Sequence, residues 1–511
     1  MSVRTRCLSI LIASLITAGT ASARDVPVRL TDTLIIQHHT DNKNGESNDD
    51  DYSAVLNRLN ISATSGTLTT SARVDSMYFH DSPIDWHNDD ARLERLSVRY
   101  KLGKWTLKLG DYYRQLGRGI ALALRKVDEA GVDIGLRGGE ASYSGSEHKL
   151  GLFAGRTNIV NIDALKQRFV EDPDDVLAGG WYSWRGLKWM EIGTHYVFRY
   201  NESKRSASEL DDGSNFIGGT LNFPNLGGYG SLFLETDYQQ MREVDAVTDG
   251  KAAYGALDLF LGNTSVLVEG IFLDGIQQFG STNLYGEPVR YNLPPTLERI
   301  DQETSRGQNE WGGKMRIEQS LAEGDAVIYV NGVYKTLDPD KGNEVRQIHA
   351  FGGTEVQYNG GRSRVNISGG WRDEDNTAGD EAVDIKGMYH VELDYLQYIT
   401  KGYAIHIATN YEFRDLEGDE YIRGSAFLGL QKSGIGSLTF EHGLDTSDTR
   451  DNIRSQFLAG ILSWEAARWM KVRSTVGTQR GGLKCIAGVC RVYPSFSGYH
   501  LEIIANHNLG G

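Results

Sequence analysis

Side-chain chemistry along residues 386–414 alternates position by position, and the same two-residue period recurs along nearly the whole chain. Tyr389, Val391, Leu393 and Tyr395 take one face of a strand, while His390, Glu392 and Asp394 take the other. After a turn at 400–402, Tyr403, Ile405, Ile407, Tyr411 and Phe413 continue the apolar face, and Ala404, His406, Ala408, Asn410, Glu412 and Arg414 the polar one. Successive side chains of a strand point to opposite faces, so the ribbon is apolar on one side and wet on the other. A soluble sandwich shares that period. The order of the connections separates the two folds.

The alternating segments number about 24 (22–26), each about 9–14 residues long, the length that crosses a bilayer obliquely. Their connections fall into two classes that alternate. One class is tight and holds turn residues: 63–66, 102–104, 145–147, 185–186, 224–227, 261–263, 322–324, 359–361, 400–402, 433–436 and 465–467. The other is longer and more charged: 39–51, 80–90, 114–130, 156–178, 202–213, 241–249, 275–308, 337–344, 373–385, 445–451 and 479–494. Outer-membrane barrels segregate loop length by parity in this way; a soluble all-β protein has no reason to. Aromatics crowd the tight turns: Trp181, Trp184 and Trp189, Trp464 and Trp469, Trp105, and Tyr398 with Tyr403. Trp and Tyr favour the membrane–water interface, so they read as a girdle. The sequence therefore predicts an all-β fold: one large antiparallel transmembrane β-barrel over 24–511, with short periplasmic turns and long extracellular loops.

Residues 1–23 read as a signal peptide. Arg4 and Arg6 precede an apolar stretch at 8–16, and Ala21, Ser22 and Ala23 form an A-x-A cleavage site. No segment offers the roughly 20 apolar residues of a membrane helix. A mean hydropathy of −0.40 is polar for a helical membrane protein and suits a barrel, where only alternate residues meet lipid. The net charge of −15 and the absence of a basic arm exclude a nucleic-acid partner. Cys485 and Cys490, the cysteines left after cleavage, share a short glycine-containing segment in an oxidising compartment, where a local disulfide is expected. Two further ligands for a zinc site are lacking nearby.

Closure into about 24 strands gives a backbone cylinder on the order of 45–50 Å across, too wide for side chains to fill. Water, inward-folded loops or both must occupy it. No plug domain precedes the first strand, which begins near Pro27, and this argues against an energy-coupled siderophore transporter. On 92–102 the alternation sends Leu96, Val98, Tyr100 and Leu102 to lipid, and Arg95, Ser97, Arg99 and Lys101 inward. On 104–113 Trp105, Leu107 and Leu109 face out, leaving Lys104, Thr106 and Lys108 inside. Five inward cations on adjacent strands repel unless water or anions screen them. Glu392, Asp394 and Glu412 supply an acidic stretch, which gives the pore a transverse field if it lies on another part of the wall, and otherwise a generic wet lumen whose charges keep it soluble.

The loop after Tyr113 carries an apolar run at 120–124 between Arg114, Arg118, Arg125, Lys126, Asp128 and Glu129. An exposed loop has little use for that run, whereas a loop packed on the inner wall would bury it and line a constriction with its charged flanks; the competing reading is an extension of the strands above the membrane. This segment, GRG-x-ALALRKVDE-x-GVD, resembles that of an uncharacterised family of porin-like outer-membrane β-barrels in Gram-negative bacteria, and GGLKCIAGVCRVYPSFSG at 481–498 is similar to the family's C-terminal hairpin. The resemblance implies an outer-membrane barrel and brings no substrate. The chain departs from many such barrels by ending on His507, Asn508, Leu509, Gly510 and Gly511 instead of an aromatic residue.

Enzyme signatures are weak. His442 near Asp445, or His195 near Tyr196, has no serine in a nucleophile turn. His38 and His39 read as interfacial residues, and the acidic segment 338–344 as a solvated turn without EF-hand spacing. The expected function is a channel for passive diffusion of small polar or charged solutes, without cofactor or resident metal, its partners outer-membrane lipid and divalent cations shared at acidic loops. The alternative is a non-conducting scaffold or adhesin acting through loop 275–308, with Tyr285, Tyr291, Pro294 and Pro295.

Overall fold

The computed structural model describes residues 26–509 except 44, 46–49, 86, 166, 202–212, 243–246, 283–287, 300–308, 339–343, 377–386, 417–418, 448–453 and 487–488. The expected signal peptide, Tyr285 and most of the acidic turn at 338–344 therefore lie outside the described residues, as do the side chains of Glu129, Cys485 and Cys490.

Twenty-four antiparallel strands form a single closed barrel. Each pairs with its neighbours in sequence, and the last strand, Phe496–Leu509, pairs back onto the first, Val28–His39, from Val28 opposite Leu509 to His39 opposite Gly498. Closure is what hydrocarbon demands, because an open edge would leave a row of backbone donors and acceptors unpaired. Strand lengths run from 8 residues in Trp105–Tyr112 to 15 in Val247–Leu261. Among the described residues no helix is long and apolar enough to cross a membrane.

The two connection classes emerge at opposite ends of the barrel. Turns of two to six residues close one end. One of the tightest joins Gly387–Thr400 to Tyr403–Leu416 through Lys401 and Gly402, both at positive φ (48° and 79°), the geometry whose twist matches a two-residue hairpin. The other end carries the longer segments, with two short exceptions: Arg242 and Val247 are joined by four residues, and Leu416 and Asp419, which the length rule missed, by two. Two expected turns sit elsewhere. The strands Val176–Leu187 and Gln456–Ala467 run through 185–186 and 465–467, and the turns begin three residues later, at 188–189 and 468–469. Register shifts between Trp184 and Leu187, and between Trp464 and Ala467, insert a bulge before each turn, so the glycine or alanine that reads as a turn lies in a bulge.

The outer face is apolar as the alternation requires. Leu96, Tyr100, Leu102, Trp105, Leu107 and Leu109 all project outward and are exposed on the isolated barrel, Leu109 by 64%. Trp105, Trp189, Trp464, Trp469 and Tyr403 are exposed beside the short turns, where an interfacial girdle belongs. Trp181 is a correction to that girdle: its ring packs against the buried cluster inside the barrel, with the Arg114 guanidinium 5.5 Å from its centroid. Ile217, mid-strand in Gly213–Phe223 and 58% exposed, should tolerate charge poorly. Ile217→Arg is expected to cost about 2–4 kcal/mol in urea unfolding from lipid vesicles. Asn410→Arg, on the inward face of Tyr403–Leu416, should change stability by less than about 1 kcal/mol in the same assay.

Candidate functional site

The inner wall under strands Asp90–Leu102 and Trp105–Tyr112 departs from simple alternation at two points. Arg95 pairs opposite Arg73 and Leu93 opposite Val74, so Glu94 is an extra residue in a bulge and turns inward beside Arg95. Gly110 sits at φ 89° against the Leu96 carbonyl, a place closed to any Cβ, and the reset turns Asp111 inward as well. Asp111 accepts from Leu96 N at 2.6 Å, Asn158 Nδ2 at 2.6 Å and Arg137 Nε at 3.1 Å. A strict two-residue period hides both carboxylates.

With them the electrostatics of this wall change. Arg95 donates to Asp133 at 2.8 Å, and Arg73 reaches the other oxygen of Asp133 at 2.8 Å and Asp75 at 2.5 Å. Lys108 lies 3.1 Å from Glu140, which also takes Arg114. The expectation of five mutually repelling lumen cations is thereby corrected for Arg95 and Lys108: buried acids on neighbouring strands neutralise them, as low-dielectric burial demands. Arg99, Lys101 and Lys104 are exposed near the short turn at Gly103 and have no ion pair among the described residues.

Loop 113–131 folds into the barrel. Ile120, Ala121, Leu122, Ala123 and Leu124 are at most 3% exposed, packed with Leu136, Phe153, Leu177, Val197, Phe216, Ile271 and Val333 from the inner wall. An inner wall that is apolar at these positions and polar elsewhere is a seat for that run. The loop's flanks are held in place. Arg118 N donates to Glu235 at 2.6 Å while its guanidinium lies 4.7 Å from the Phe233 centroid, Arg125 Nη1 bonds the Ala123 carbonyl, and Lys126 lies 2.8 Å from Asp128.

A second inward loop, within 275–299, knits onto the first. Tyr291 accepts a bond from Ala123 N at its carbonyl, Leu293 N bonds the Gly119 carbonyl, and Asn292 Nδ2 bonds the Ile120 carbonyl. Gly119, at φ 93°, presents the Leu293 carbonyl with no side chain in the way. The Tyr291 hydroxyl donates to Asp175 at 2.6 Å, and Asp175 also holds Ser281 Oγ at 2.5 Å. Further along, Glu298 takes His349 at 2.7 Å and also Gln347, and Arg299 makes a two-pronged pair with Glu392 at 2.7 and 2.8 Å. This loop springs from Thr264–Asp274 and ends on Gly387–Thr400, five strands further round the wall.

The acidic stretch foreseen on that wall is likewise paired: Glu392 with Arg299, Asp394 with Arg364 and His406, Glu412 with Arg414. Tyr291, foreseen as an external recognition residue, is 2% exposed and lies inside the barrel. His39 stacks on Tyr52 at 4.4 Å and accepts a contact from Gln167 in the 160–175 connection, so it too belongs to the loop seating. The hairpin Gly482–Ile486 with Val489–Tyr493 places Cys485 opposite Cys490 in backbone register, and its Arg491 bonds Asp163 at 2.7 Å and the Gly131 carbonyl at 2.9 Å. Below loop 113–131 a cavity of about 270 Å³ remains, lined by Arg29, Arg73, Arg95 and Lys126, by Asp111 and Tyr113, and by Thr31, Asn60 and the serines 62, 71 and 97. Its cations Arg73, Arg95 and Lys126 are paired with Asp75, Asp133 and Asp128, so the lining offers hydroxyls and paired ions rather than free charge.

No protein-family model and no curated protein matches the chain. Solved structures do. A P pilus tip assembly intermediate of E. coli superposes with a TM-score of 0.53 at 10% identity, covering 95% of this chain and 62% of that one. The ferric enterobactin receptor of Pseudomonas aeruginosa gives 0.50 at 9% identity over 95% and 80%. OpdQ of Pseudomonas aeruginosa gives 0.39 at 11% over 68% and 94%. At these identities the likeness is one of fold, that of outer-membrane β-barrels. Asp133→Ala would leave Arg95 with only Glu94 at 3.6 Å and free one arm of Arg73 in a buried setting, and is expected to destabilise the barrel by about 3–5 kcal/mol. Urea unfolding measures it, and a loss below about 1 kcal/mol would mean that solvent already screens this network.

Proposed function

We propose that the protein is an outer-membrane channel through which small polar or charged solutes diffuse passively, past a constriction made by the inward loops. The observation that carries this reading is the seating of 120–124 and 288–299 on the inner wall, beside a polar cavity of about 270 Å³. A barrel of 24 strands needs such filling to be narrower than a general leak. In this reading Arg114, Arg118, Arg125, Lys126 and Asp128 line the narrowing, and Arg99, Lys101 and Lys104 give the periplasmic mouth its positive charge. Because Arg95 and Lys108 are offset by Asp133 and Glu140, selectivity at the constriction comes from hydrogen bonding and size more than from net charge.

Residues 1–23 serve as the export signal, and Cys485 and Cys490 close a disulfide in the hairpin that rests on loop 113–131. Their backbone register supports the pairing, and Arg491 of the same hairpin ties it to the loop. Intact folded protein should then resist thiol labelling until reduced; labelling without reductant would refute the bond. The surface-scaffold alternative loses support, since the described part of its loop faces inward, with Tyr291 and Pro294 buried.

Single-protein recordings in planar bilayers test the channel. Wild-type protein is expected to pass small, brief currents, and deletion of 114–130 to raise conductance several-fold. Silence from both proteins, each verified as folded, would overturn the reading.

A further inference from the structure

One cluster inside the barrel serves neither closure nor the ion pairs described above. His195, Gly218 and Asp237 lie in line across three adjacent strands, His195 opposite Gly218 and Gly218 opposite Asp237. A Cβ at position 218 would overlap both the His195 Nε2 and the Asp237 Oδ1, so glycine there is what lets the two side chains meet, at 2.6 Å. Glu235, two residues before Asp237 on the same face, completes the group. One ring nitrogen and one oxygen from each carboxylate all lie within 4.8 Å of one another.

The cluster is unbalanced. His195, Glu235 and Asp237 are 5%, 1% and 5% exposed, and among the described residues neither carboxylate forms an ion pair with a Lys or Arg side chain. Glu235 Oε1 and Asp237 Oδ2 have no hydrogen-bond partner at all. Two buried carboxylates against one imidazole carry surplus negative charge, and burial makes such a surplus costly unless a cation or a proton resides there. An imidazole nitrogen with two carboxylate oxygens suits a divalent first-row transition ion better than calcium or magnesium, which favour all-oxygen shells.

We infer that His195, Glu235 and Asp237 form a binding site for a divalent transition-metal ion of the zinc class, which clamps loop 113–131 to the barrel wall. The link to the loop is direct: the other Glu235 oxygen accepts from Arg118 N at 2.6 Å, and Gly117 packs against Glu235 so closely that a Cβ would overlap it. Metal binding replaces the proton shared between His195 and Asp237, so it releases protons and weakens in acid. Glu235 and Asp237 share one strand, while His195 lies 42 residues before Asp237 on another, so no single local motif joins the three.

The test is calorimetric titration of Zn²⁺ into chelator-stripped full-length barrel in detergent, folding being verified by the gel mobility of unheated samples. One saturable ion per chain is expected, with an affinity for Ca²⁺ at least about 100-fold lower. His195→Gln, Glu235→Gln and Asp237→Asn should each weaken Zn²⁺ binding by about 100-fold or more, exceeding the loss typical of a supporting residue. His406→Gln, which breaks a similar histidine–carboxylate pair elsewhere in the lumen, should leave it unchanged. Bound Zn²⁺ should also slow proteolysis at 114–126 in wild type alone. Absence of binding by folded wild type, which would assign the site to a shared proton, overturns the inference, as does undiminished binding by the three folded variants.

Discussion

Everything inside this protein depends on the pairing of its first and last strands. Val28–His39 and Phe496–Leu509 close the sheet along the whole length of the first strand, and closure satisfies every edge that hydrocarbon would otherwise face. It also fixes a strand number, and the strand number fixes a lumen too wide for wall side chains to fill. The inward loops answer that second demand. An apolar run such as 120–124 is stable there because the wall offers Phe153, Val197 and Phe216 in place of water.

The second governing term is electrostatic. Loops that cross a wide lumen must anchor on walls that are otherwise polar, and here they do so through charge. Arg299 grips Glu392, Glu298 grips His349 and Arg118 N meets Glu235 on the wall, while Arg491 ties one inward connection to another at Asp163. The wall charges that would have given a bare pore a transverse field are largely spent on such anchors and on one another. What the lumen presents to a solute is thus a set of paired ions with hydroxyls between them, and this favours recognition by hydrogen bonding over bulk ion selection.

The architecture was legible in the sequence because its causes are local and repeated. A period of two, connections segregated by parity and aromatics beside the turns are each set within a dozen residues. The inward run at 120–124 was legible for the same reason: its apolarity conflicts with an exposed loop. What stayed hidden follows from breaks in the period and from pairing at long range. Glu94 and Asp111 face inward only because a bulge and the positive φ of Gly110 reset the alternation. Trp184 and Trp464 precede bulges that displaced two foreseen turns. Arg299 with Glu392, and His195 with Asp237, are 93 and 42 residues apart, and no spacing rule joins them.

The central claim is that loop 288–299 folds into the lumen and holds the wall five strands beyond the strand it leaves. The most direct measurement introduces Arg299→Cys and Glu392→Cys in a background with Cys485 and Cys490 replaced by serine, and treats the folded protein with a short bismaleimide. Efficient intramolecular cross-linking, seen as a joined peptide after proteolysis, is predicted. Two freely labelled thiols with no joined peptide would contradict the account and return this loop to the outer surface.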